Sequence, residues 1–400
     1  MRVPATGILS LVVLAAALPV VALGASAGVQ DDRLPVTSPS GLQARVNLLT
    51  TTGTKVTRVD LYWSTAAPTR PTAPTNPDDP AYDWTWSDTA FGALDAAGIT
   101  PIVTVWNPPV WAAGKSTGEP RNWNANAPKN ARDFANFMQA LATRYNGKTD
   151  IPGQGPLKVR FFELWNEPNL QFYFRPQYRG RTPVSPGKYA QMVNLSTPAI
   201  KKVNPGAIVL AGVTGPKGKS NSTGRGTLDW IADLKKAGMK NFSAYSQHIY
   251  PAAAPNTTTR AIPSWSTLPK IVAAVNTLPR GRSKKIYITE SSYTTATTPF
   301  RTVAFTPAQQ ARYLTEIYKL PLVRSSRIPL VMWFQLQDNP SWPGGLYTSP
   351  AATAKPSLGV FPMAMAKPSL AAFRAAAAAN PPRGNLRPPR GGGSRRHLAP

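Results

Sequence analysis

One short apolar run, VRFFELWNEP at residues 159–168, ends in the carboxylate of Glu167 and the proline after it. A second run, KIYITE at residues 285–290, ends in Glu290. Short runs rich in β-branched and aromatic residues are typical of buried strands. In a parallel barrel, the C-terminal ends of the strands face the mouth where active sites form. The two runs therefore predict a pair of carboxylates at one end of a barrel.

Strand-like and helix-like segments alternate along the rest of the chain. Further strands are predicted at 56–63, 101–106, 207–213, 243–250 and 330–337, with helices between them at 87–97, 134–145, 185–203, 227–237, 268–275 and from 306. This alternation is the pattern of a parallel sheet, and seven clear strands favour a closed one. The predicted fold is α/β, a single (β/α)8 TIM barrel. The first strand has the weakest signal and is expected between residues 31 and 40, before a helix near 41–52.

The two ends of the chain differ from the middle. Residues 1–27 combine Arg2, an apolar run and the small residues 25–27, which is the pattern of a secretory signal peptide, although an uncleaved anchor is the alternative. A secreted, extracellular protein is therefore expected, with the barrel domain at residues 31–378 and no membrane span after the signal peptide. Residues 379–400 contain mainly proline, glycine and arginine and predict a disordered basic tail. No cysteine is present, so the fold must hold without disulfides.

The chain is strongly basic, with a formal net charge of +27. Only five of the arginines lie in the tail, so most of the excess charge belongs to the barrel. Such a surface favours anionic polymers, such as those of a cell wall, although a basic surface without a dedicated partner explains the charge equally well. Nucleic acid is not expected, because no nucleic-acid motif is present. With two histidines and no cysteine, we expect no metal and no other cofactor.

The spacing of the two glutamates predicts that they face each other. Glu167 ends the fourth predicted strand and Glu290 the seventh, three strand-helix units of about 40 residues apart, as in a barrel of eight units. Two carboxylates that face each other across a barrel mouth are the machinery of glycoside hydrolysis. A separation of about 5 Å between them would give retention of anomeric configuration.

The motif ELWNEPNL at residues 163–170, together with a second glutamate three units later, resembles that of the clan A glycoside hydrolases. The similarity covers roughly residues 40–375 and is closest to family 39-like and family 5-like (cellulase-type) secreted enzymes of actinobacterial type. It implies that Glu167 is the acid/base, that Asn166 bonds the sugar 2-hydroxyl and that Glu290 is the nucleophile.

The same resemblance implies roles for four more residues. Arg58 on the second strand looks like the arginine that keeps the nucleophile ionised, and His248 and Tyr250 look like its hydrogen-bonding neighbours. Trp333 on the last strand looks like the aromatic platform under the sugar. Each has a plainer alternative: Arg58 as a structural ion pair, His248 as a core imidazole and Trp333 as barrel filling.

Other positions distinguish this chain from family 5. Trp106 and Asn107 occupy the end of the third strand, where that family often has a histidine, and they are candidates for sugar contact. Glu163 has the strand parity of Glu167 but lies deeper, which favours an ion-pair partner inside the barrel. Aromatic residues crowd the predicted loops and favour a long carbohydrate cleft, although loop packing explains part of this.

These features predict a secreted retaining glycosidase that acts on a polysaccharide or oligosaccharide. Two alternatives from other classes remain: a catalytically weak carbohydrate-binding or wall-associated protein that uses the same cleft, and a polycation that binds wall polymer through its surface and tail.

Overall fold

The computed structural model describes residues 24–115, 123–349 and 365–387. The strands are β1 Ser26–Gln30, β2 Val56–Tyr62, β3 Thr100–Trp106, β4 Phe161–Leu164, β5 Tyr178–Arg179, β6 Thr182–Pro183, β7 Ile208–Thr214, β8 Ala244–Ile249, β9 Ile286–Ser291 and β10 Leu330–Phe334. Eight of them are parallel and close into a barrel in the order β1-β10-β9-β8-β7-β4-β3-β2, and β5 and β6 form a separate two-stranded hairpin. This confirms the predicted (β/α)8 barrel.

Helices follow the barrel strands and pack against their outer faces. They are α1 Pro39–Thr50, α2 Trp63–Ala66, α3 Thr85–Ala96, α4 Val110–Ala113, α5 Ala131–Arg144, α6 Ser185–Val203, α7 Thr227–Lys236, α8 Leu268–Asn276, α9 Pro307–Ile317, α10 Pro321–Arg324 and α11 Pro368–Ala379. The sequence signals act locally as expected. Thr306, for example, accepts from the Gln309 N–H and Gln309 bonds back to Thr306, which is a capping box at the start of α9.

Strand parity sorts the side chains between two cores. Inward-facing residues near the strand starts, such as Val56, Phe161 and Met332, form a small apolar cluster inside the barrel. Their outward-facing neighbours, such as Val103 and Val331, join the large core under the helices. Further along the same inward rows, apolar residues give way to charged ones, Arg58 after Val56 and Glu163 after Phe161. The barrel interior therefore changes from apolar at its N-terminal end to polar at the mouth.

The first strand lies earlier than the sequence predicts. β1 pairs along its whole length with β10, from Ser26 beside Leu330 to Gln30 beside Phe334. Residues 31–40, where this strand was expected, instead contain a one-turn 3-10 helix and the start of α1. Small residues make up most of this strand and give only a weak strand signal in the sequence. Gly28 must be small, because a Cβ there would lie 2.9 Å from the Met332 side chain. The barrel thus starts before residue 31, and a signal cleavage that leaves β1 whole must fall before Ser26.

The predicted disordered tail is also partly wrong. Residues 380–387 lie against the N-terminal end of the barrel, where Leu386 is 3% exposed and joins the interior apolar cluster. The Thr100 hydroxyl donates to the Leu386 carbonyl and the Ser26 hydroxyl to the Pro381 carbonyl, both at 3.3 Å. The composition of the tail could not predict this packing, because it depends on a single residue, Leu386, which covers the N-terminal end of the barrel interior. Residues 388–400 lie outside the described part.

Within the described residues, no helix is both long and apolar enough to span a membrane. Nearly all of the predicted signal segment, residues 1–23, lies outside the described residues.

Candidate active site

Two glutamates face one cavity at the barrel mouth. Glu167 follows the end of β4 by three residues, on a loop where its own φ is +42°, and Glu290 lies within β9. A carboxylate oxygen of each, together with a ring nitrogen of His248, all lie within 4.8 Å of one another. Both carboxylates line the cavity, although each residue is less than a tenth exposed. The fold thus brings together the two carboxylates that the sequence predicts to face each other.

Arg58 lies beneath the two cavity glutamates and bonds one of them, Glu290, together with the deeper Glu163 and the Asn166 amide. Its Nη1 donates to Glu290 Oε1 at 2.6 Å, its Nε to Glu163 Oε2 at 2.5 Å and its Nη2 to Asn166 Oδ1 at 2.9 Å. The side chain is fully buried, so its charge must be compensated locally. Arg58 therefore combines both predicted possibilities, because it is an internal ion pair and also a direct partner of Glu290.

Glu163 is the buried counterion of this group. Besides Arg58, its carboxylate accepts hydrogen bonds from Thr104 Oγ1 at 2.7 Å and Ser246 Oγ at 2.6 Å. Burial alone would raise the pKa of Glu163, but the Arg58 charge, His248 and the hydrogen bonds from Ser246 and Arg58 outweigh it and hold the pKa below its usual value. Glu163 is therefore a fixed anion that anchors Arg58 from below, as its strand parity suggests.

His248 and Tyr250 approach the same carboxylates from β8 and the residues after it. His248 Nδ1 lies 2.8 Å from Glu167 Oε1 and 3.4 Å from Glu290 Oε2, and the Tyr250 hydroxyl donates to Glu290 Oε2 at 2.5 Å. Burial lowers the pKa of His248 to about 4, so the ring is neutral at neutral pH. Because Nδ1 faces two carboxylates, it is the nitrogen that carries the proton.

The charge state of Glu290 depends on opposing effects. Burial raises its pKa, and the nearby Glu167 carboxylate adds to the rise. His248, Arg58 and the hydrogen bond from Tyr250 lower it, but the net pKa stays above the ordinary glutamate value. Arg58 therefore lowers the pKa of Glu290, as the sequence predicts, but burial of the carboxylate raises this pKa by more.

The cavity above the glutamates has a volume of about 660 Å³ and mostly apolar walls. Its size lies within the usual range of small-ligand pockets, roughly 300–1,000 Å³. On one side, the Tyr250 and Trp342 rings meet edge to face with centroids 4.5 Å apart, and the Arg301 guanidinium lies over Trp342. The cavity is lined by Asp32, Glu167, Leu170, Phe172, Tyr173, Pro216, Tyr250, Glu290, Phe300, Arg301, Phe334, Asn339, Pro340, Ser341 and Trp342.

Asp32 is a cavity residue that sequence reasoning missed. It follows β1 by two residues and accepts a hydrogen bond from Gln30 Nε2 at 3.1 Å. Burial, with the nearby Asp60 and Glu290 carboxylates, raises the pKa of Asp32 well above its usual value. The acidic pair Asp31–Asp32 follows β1 directly and is a usable signal of a strand end at the barrel mouth. The sequence, however, predicts the first strand after these two residues and not before them.

Four of the predicted sugar-contacting residues, Asn166, Trp333, Trp106 and Asn107, are not among the residues that line this cavity. Asn166 lies beneath it, where its Oδ1 accepts from Arg58. Trp333 has the outward parity of Val331 and belongs to the core under the helices, where its Nε1 donates to the Gly344 carbonyl at 2.8 Å. The aromatic residue that faces the cavity from β10 is its neighbour, Phe334. The sequence assignment was therefore one residue off, and in a strand one residue changes the face.

Trp106 and Asn107 support the wall instead of forming it. The Trp106 ring packs edge to face on Tyr173, which itself lines the cavity. Asn107 Oδ1 accepts from the Asn124 backbone N–H at 2.7 Å and so ties two loops together. Their predicted direct contact with sugar is not supported by these positions.

The glutamates and His248 also offer three ligand atoms close enough to hold a metal ion. Arg58 already places a positive charge 2.6 Å from Glu290, and a second cation there would be repelled. The charge of Arg58 thus makes these three residues a poor metal site, and the expected absence of a metal stays a prediction.

Comparison with known proteins identifies relatives of the chain. The sequence pattern of the glycosyl hydrolases family 39 matches residues 71–379. A family 39 glycoside hydrolase from Bacteroides cellulosilyticus WH2 is 20% identical, with a TM-score of 0.59 over 90% of this chain and 65% of its own length. A β-xylosidase of the same family from Caulobacter crescentus is 20% identical, with a TM-score of 0.57 over 88% of this chain and 70% of its own. This chain therefore spans about two thirds of the length of these two proteins.

A third solved structure is of similar size to this chain. An endo-β-1,4-glucanase from Xanthomonas axonopodis pv. citri is 16% identical, with a TM-score of 0.51 over 88% of this chain and 99% of its own length. At these identities, the solved structures show that the barrel fold is shared.

Proposed function

The chain belongs to family 39 of the glycosyl hydrolases, and on that premise we propose that it is a retaining O-glycoside hydrolase in which Glu290 is the nucleophile and Glu167 the acid/base. The observation that carries this proposal is that one carboxylate oxygen of Glu167 lies within 4.8 Å of one carboxylate oxygen of Glu290. Retaining enzymes have carboxyl groups roughly 5–5.5 Å apart, whereas inverting enzymes leave roughly 6.5–9.5 Å for a water between them.

The first step forms a covalent intermediate. A Glu290 oxygen attacks the anomeric carbon, and the bond from that carbon to the leaving oxygen breaks. Glu167 gives its proton to the leaving oxygen, so the leaving sugar departs as a neutral alcohol. The products of this step are a glycosyl ester on Glu290 and an ionised Glu167.

The second step releases the sugar. A water molecule attacks the anomeric carbon from the side of Glu167, which takes the proton from the water. The ester bond to Glu290 breaks, and the carboxylate is restored. Two inversions at the same carbon give net retention.

The surrounding residues keep Glu290 ready for attack. Arg58 and the Tyr250 hydroxyl each contact one of its two oxygens and stabilise the ionised form. His248 donates between the two carboxylates without carrying a charge at neutral pH. This neutral donor eases the repulsion between the carboxylates and leaves the proton on Glu167 available for transfer.

The substrate is proposed to be an oligosaccharide or polysaccharide outside the cell. Two of the solved relatives are named β-xylosidases, which makes β-xylosides the first sugars to test. Export and adhesion to anionic wall polymer are further proposals, supported by the apolar N-terminal run and by the net charge of +27. Adhesion by charge should weaken as salt rises.

A panel of 4-nitrophenyl glycosides tests the activity, with Glu290→Gln as the control that keeps the shape of the side chain. We expect the wild-type protein to release 4-nitrophenol from at least one glycoside and the variant to lose nearly all of this activity. Binding of sugars without any hydrolysis would instead favour the alternative of a carbohydrate-binding protein.

A further inference from the structure

The end of the barrel opposite the mouth is strongly basic. Because the eight barrel strands are all parallel, the connections that lead from a helix into a barrel strand lie at this N-terminal end. The segment 380–387 lies there too, packed against the barrel through Leu386. We call this surface the basic face, and it consists of residues 51–55, 97–99, 145–160, 204–207, 237–243, 277–285, 325–329 and 380–387.

The charge of the basic face is almost entirely of one sign. Its residues include twelve lysines and arginines and a single acid, Asp150. The described connections at the mouth, which lead from a strand into the next helix, carry thirteen basic and seven acidic residues, although they contain more than twice as many residues. The excess positive charge of the connections is therefore concentrated at the N-terminal end of the barrel.

Two connections of the basic face are held together by their own basic residues. The Arg327 guanidinium donates to the Gly281 carbonyl at 2.8 Å and also to the Arg282 carbonyl. Lys285 Nζ donates to the Ser326 carbonyl at 2.8 Å. These hydrogen bonds fix the residues 277–285 and 325–329 against each other, so their cations form one surface.

Carboxylates do not neutralise this surface. Among the described residues, none of its twelve basic side chains forms an ion pair with a carboxylate. Burial lowers the pKa of Lys284, and the charges of Arg280 and of Lys201, near the end of α6, lower it further, because like charges repel. A bound anion would relieve this repulsion.

The make-up of the basic face favours a polymer over a membrane as its partner. The exposed large apolar side chains of the described residues are Val36, Val110, Phe172, Phe300 and Met365, and none of them belongs to the basic face. Peripheral proteins hold a lipid surface by basic residues together with apolar ones that insert. Half of the twelve basic residues are arginines, whose planar fork matches phosphate and carboxylate groups. Such residues, spread over several connections, suit a chain of repeated anionic groups.

We propose that the basic face binds a linear polyanion that carries repeated phosphate or carboxylate groups. The proposal rests on the proposed adhesion to anionic polymer, and it adds the surface that carries this adhesion and the orientation of the bound protein. Because the basic face and the mouth are at opposite ends of the barrel, the cavity of the bound protein points away from the polymer and stays open to substrate.

The test compares two variants with the same net charge. The face variant replaces four exposed residues of the basic face, by Lys55→Glu, Lys240→Glu, Arg282→Glu and Arg383→Glu. The mouth variant replaces four exposed residues of the mouth connections, by Lys129→Glu, Arg181→Glu, Lys219→Glu and Arg260→Glu. The two variants therefore differ only in where the positive charge is lost. Thermal unfolding followed by circular dichroism checks that both are folded.

Binding is measured to immobilised long-chain polyphosphate, to immobilised polygalacturonate and to vesicles of phosphatidylglycerol and phosphatidylcholine, at several salt concentrations. We expect the wild-type protein to bind at least one of the two polymers. The face variant should bind that polymer at least tenfold more weakly, and the mouth variant less than twofold more weakly. The dependence of Kd on salt should also become less steep in the face variant, because fewer cations release counterions from the polymer. A preference for one polymer would identify the anionic group.

Equal weakening in the two variants would overturn the proposal, because net charge and not the basic face would then set the affinity. Binding to the vesicles but to neither polymer would overturn it as well. If the wild-type protein binds none of the three, the proposed adhesion fails and the basic face with it, whereas the glycoside panel tests the hydrolase function separately. Should either variant not fold, glutamine at the same four positions removes the charges without reversing them and gives the same comparison.

Discussion

Arg58 Nη1 and Glu290 Oε1 are 2.6 Å apart, and the arginine in this pair is fully buried. Arg58 also holds Glu163 through its Nε, so one guanidinium serves two carboxylates at different depths of the barrel. Glu163 holds Arg58 in place, and Arg58 in turn stabilises the ionised form of Glu290 at the barrel mouth. This vertical arrangement links the packing of the barrel interior to the chemistry of the cavity.

Arg58→Lys should lower activity while keeping the charge. A lysine cannot match the fork that bonds Glu163 and Glu290 together, so Glu290 loses part of its stabilisation as an anion. We expect kcat/KM to fall at least tenfold, about 1.4 kcal/mol of transition-state stabilisation. The acidic limb of the pH profile should move to higher pH, because the pKa of Glu290 rises further. Arg144→Lys, in a pair with Asp88 away from the cavity, is the control and should leave the profile unchanged.

Tyr250→Phe should also move the acidic limb of the pH profile to higher pH. The Tyr250 hydroxyl donates to Glu290 and lowers its pKa, so its removal raises a pKa that burial already holds above the ordinary value. Activity requires ionised Glu290 and is lost as the pH falls through that pKa, so the loss should begin at a higher pH in the variant. Tyr287→Phe, deep in the barrel interior, is the control. An unchanged acidic limb in Tyr250→Phe would mean that another group sets it.

Leu386→Ala should destabilise the fold and spare the chemistry. The leucine covers the apolar end of the barrel interior, and loss of a buried leucine costs roughly 2–5 kcal/mol. We expect a lower Tm in thermal unfolding and an unchanged kcat/KM at temperatures where both proteins are folded. Truncation after Asn380 should lower Tm as well, whereas truncation after Arg387 should not. Equal Tm values for all four proteins would show that residues 381–387 contribute nothing to stability.

Chelation should leave the activity unchanged. Glu167, His248 and Glu290 could hold an ion by geometry, but the buried Arg58 charge already balances the carboxylates. Dialysis against EDTA, followed by assay on the best 4-nitrophenyl glycoside, measures this directly. Loss of activity that Zn²⁺ or Mn²⁺ restores would require a metal in the mechanism.

The fold could be predicted from the sequence because its signals are local. The alternating strands and helices and the capping box at Thr306 each depend on neighbouring residues, and the structure agrees with them. The spacing of Glu167 and Glu290 then follows from the regular repeat of the strand-helix units. β1 could not be found this way, since small residues form it and pairing on both sides stabilises it.

The parts of the site that failed depend on long-range packing. Trp333 was assigned to the sugar although strand parity turns it outward and places Phe334 at the cavity. Asp32 was missed together with β1. The raised pKa of Glu290 follows from burial of the carboxylate itself. The run at residues 285–290 predicts a buried strand, but it does not show how far the carboxylate at its end is removed from water.

The covalent intermediate on Glu290 is the central claim of the proposed mechanism, and trapping it is the most direct test. The protein would be incubated with 2,4-dinitrophenyl 2-deoxy-2-fluoro-β-D-xyloside, or with the analogue of whichever sugar the glycoside panel identifies. The labelled peptide would then be sequenced by tandem mass spectrometry. We expect one fluoroglycosyl group per chain, attached to Glu290, and no label in Glu290→Gln. A label on any other residue, or turnover of the parent glycoside without any trapped intermediate, would show that Glu290 is not the nucleophile of a retaining reaction.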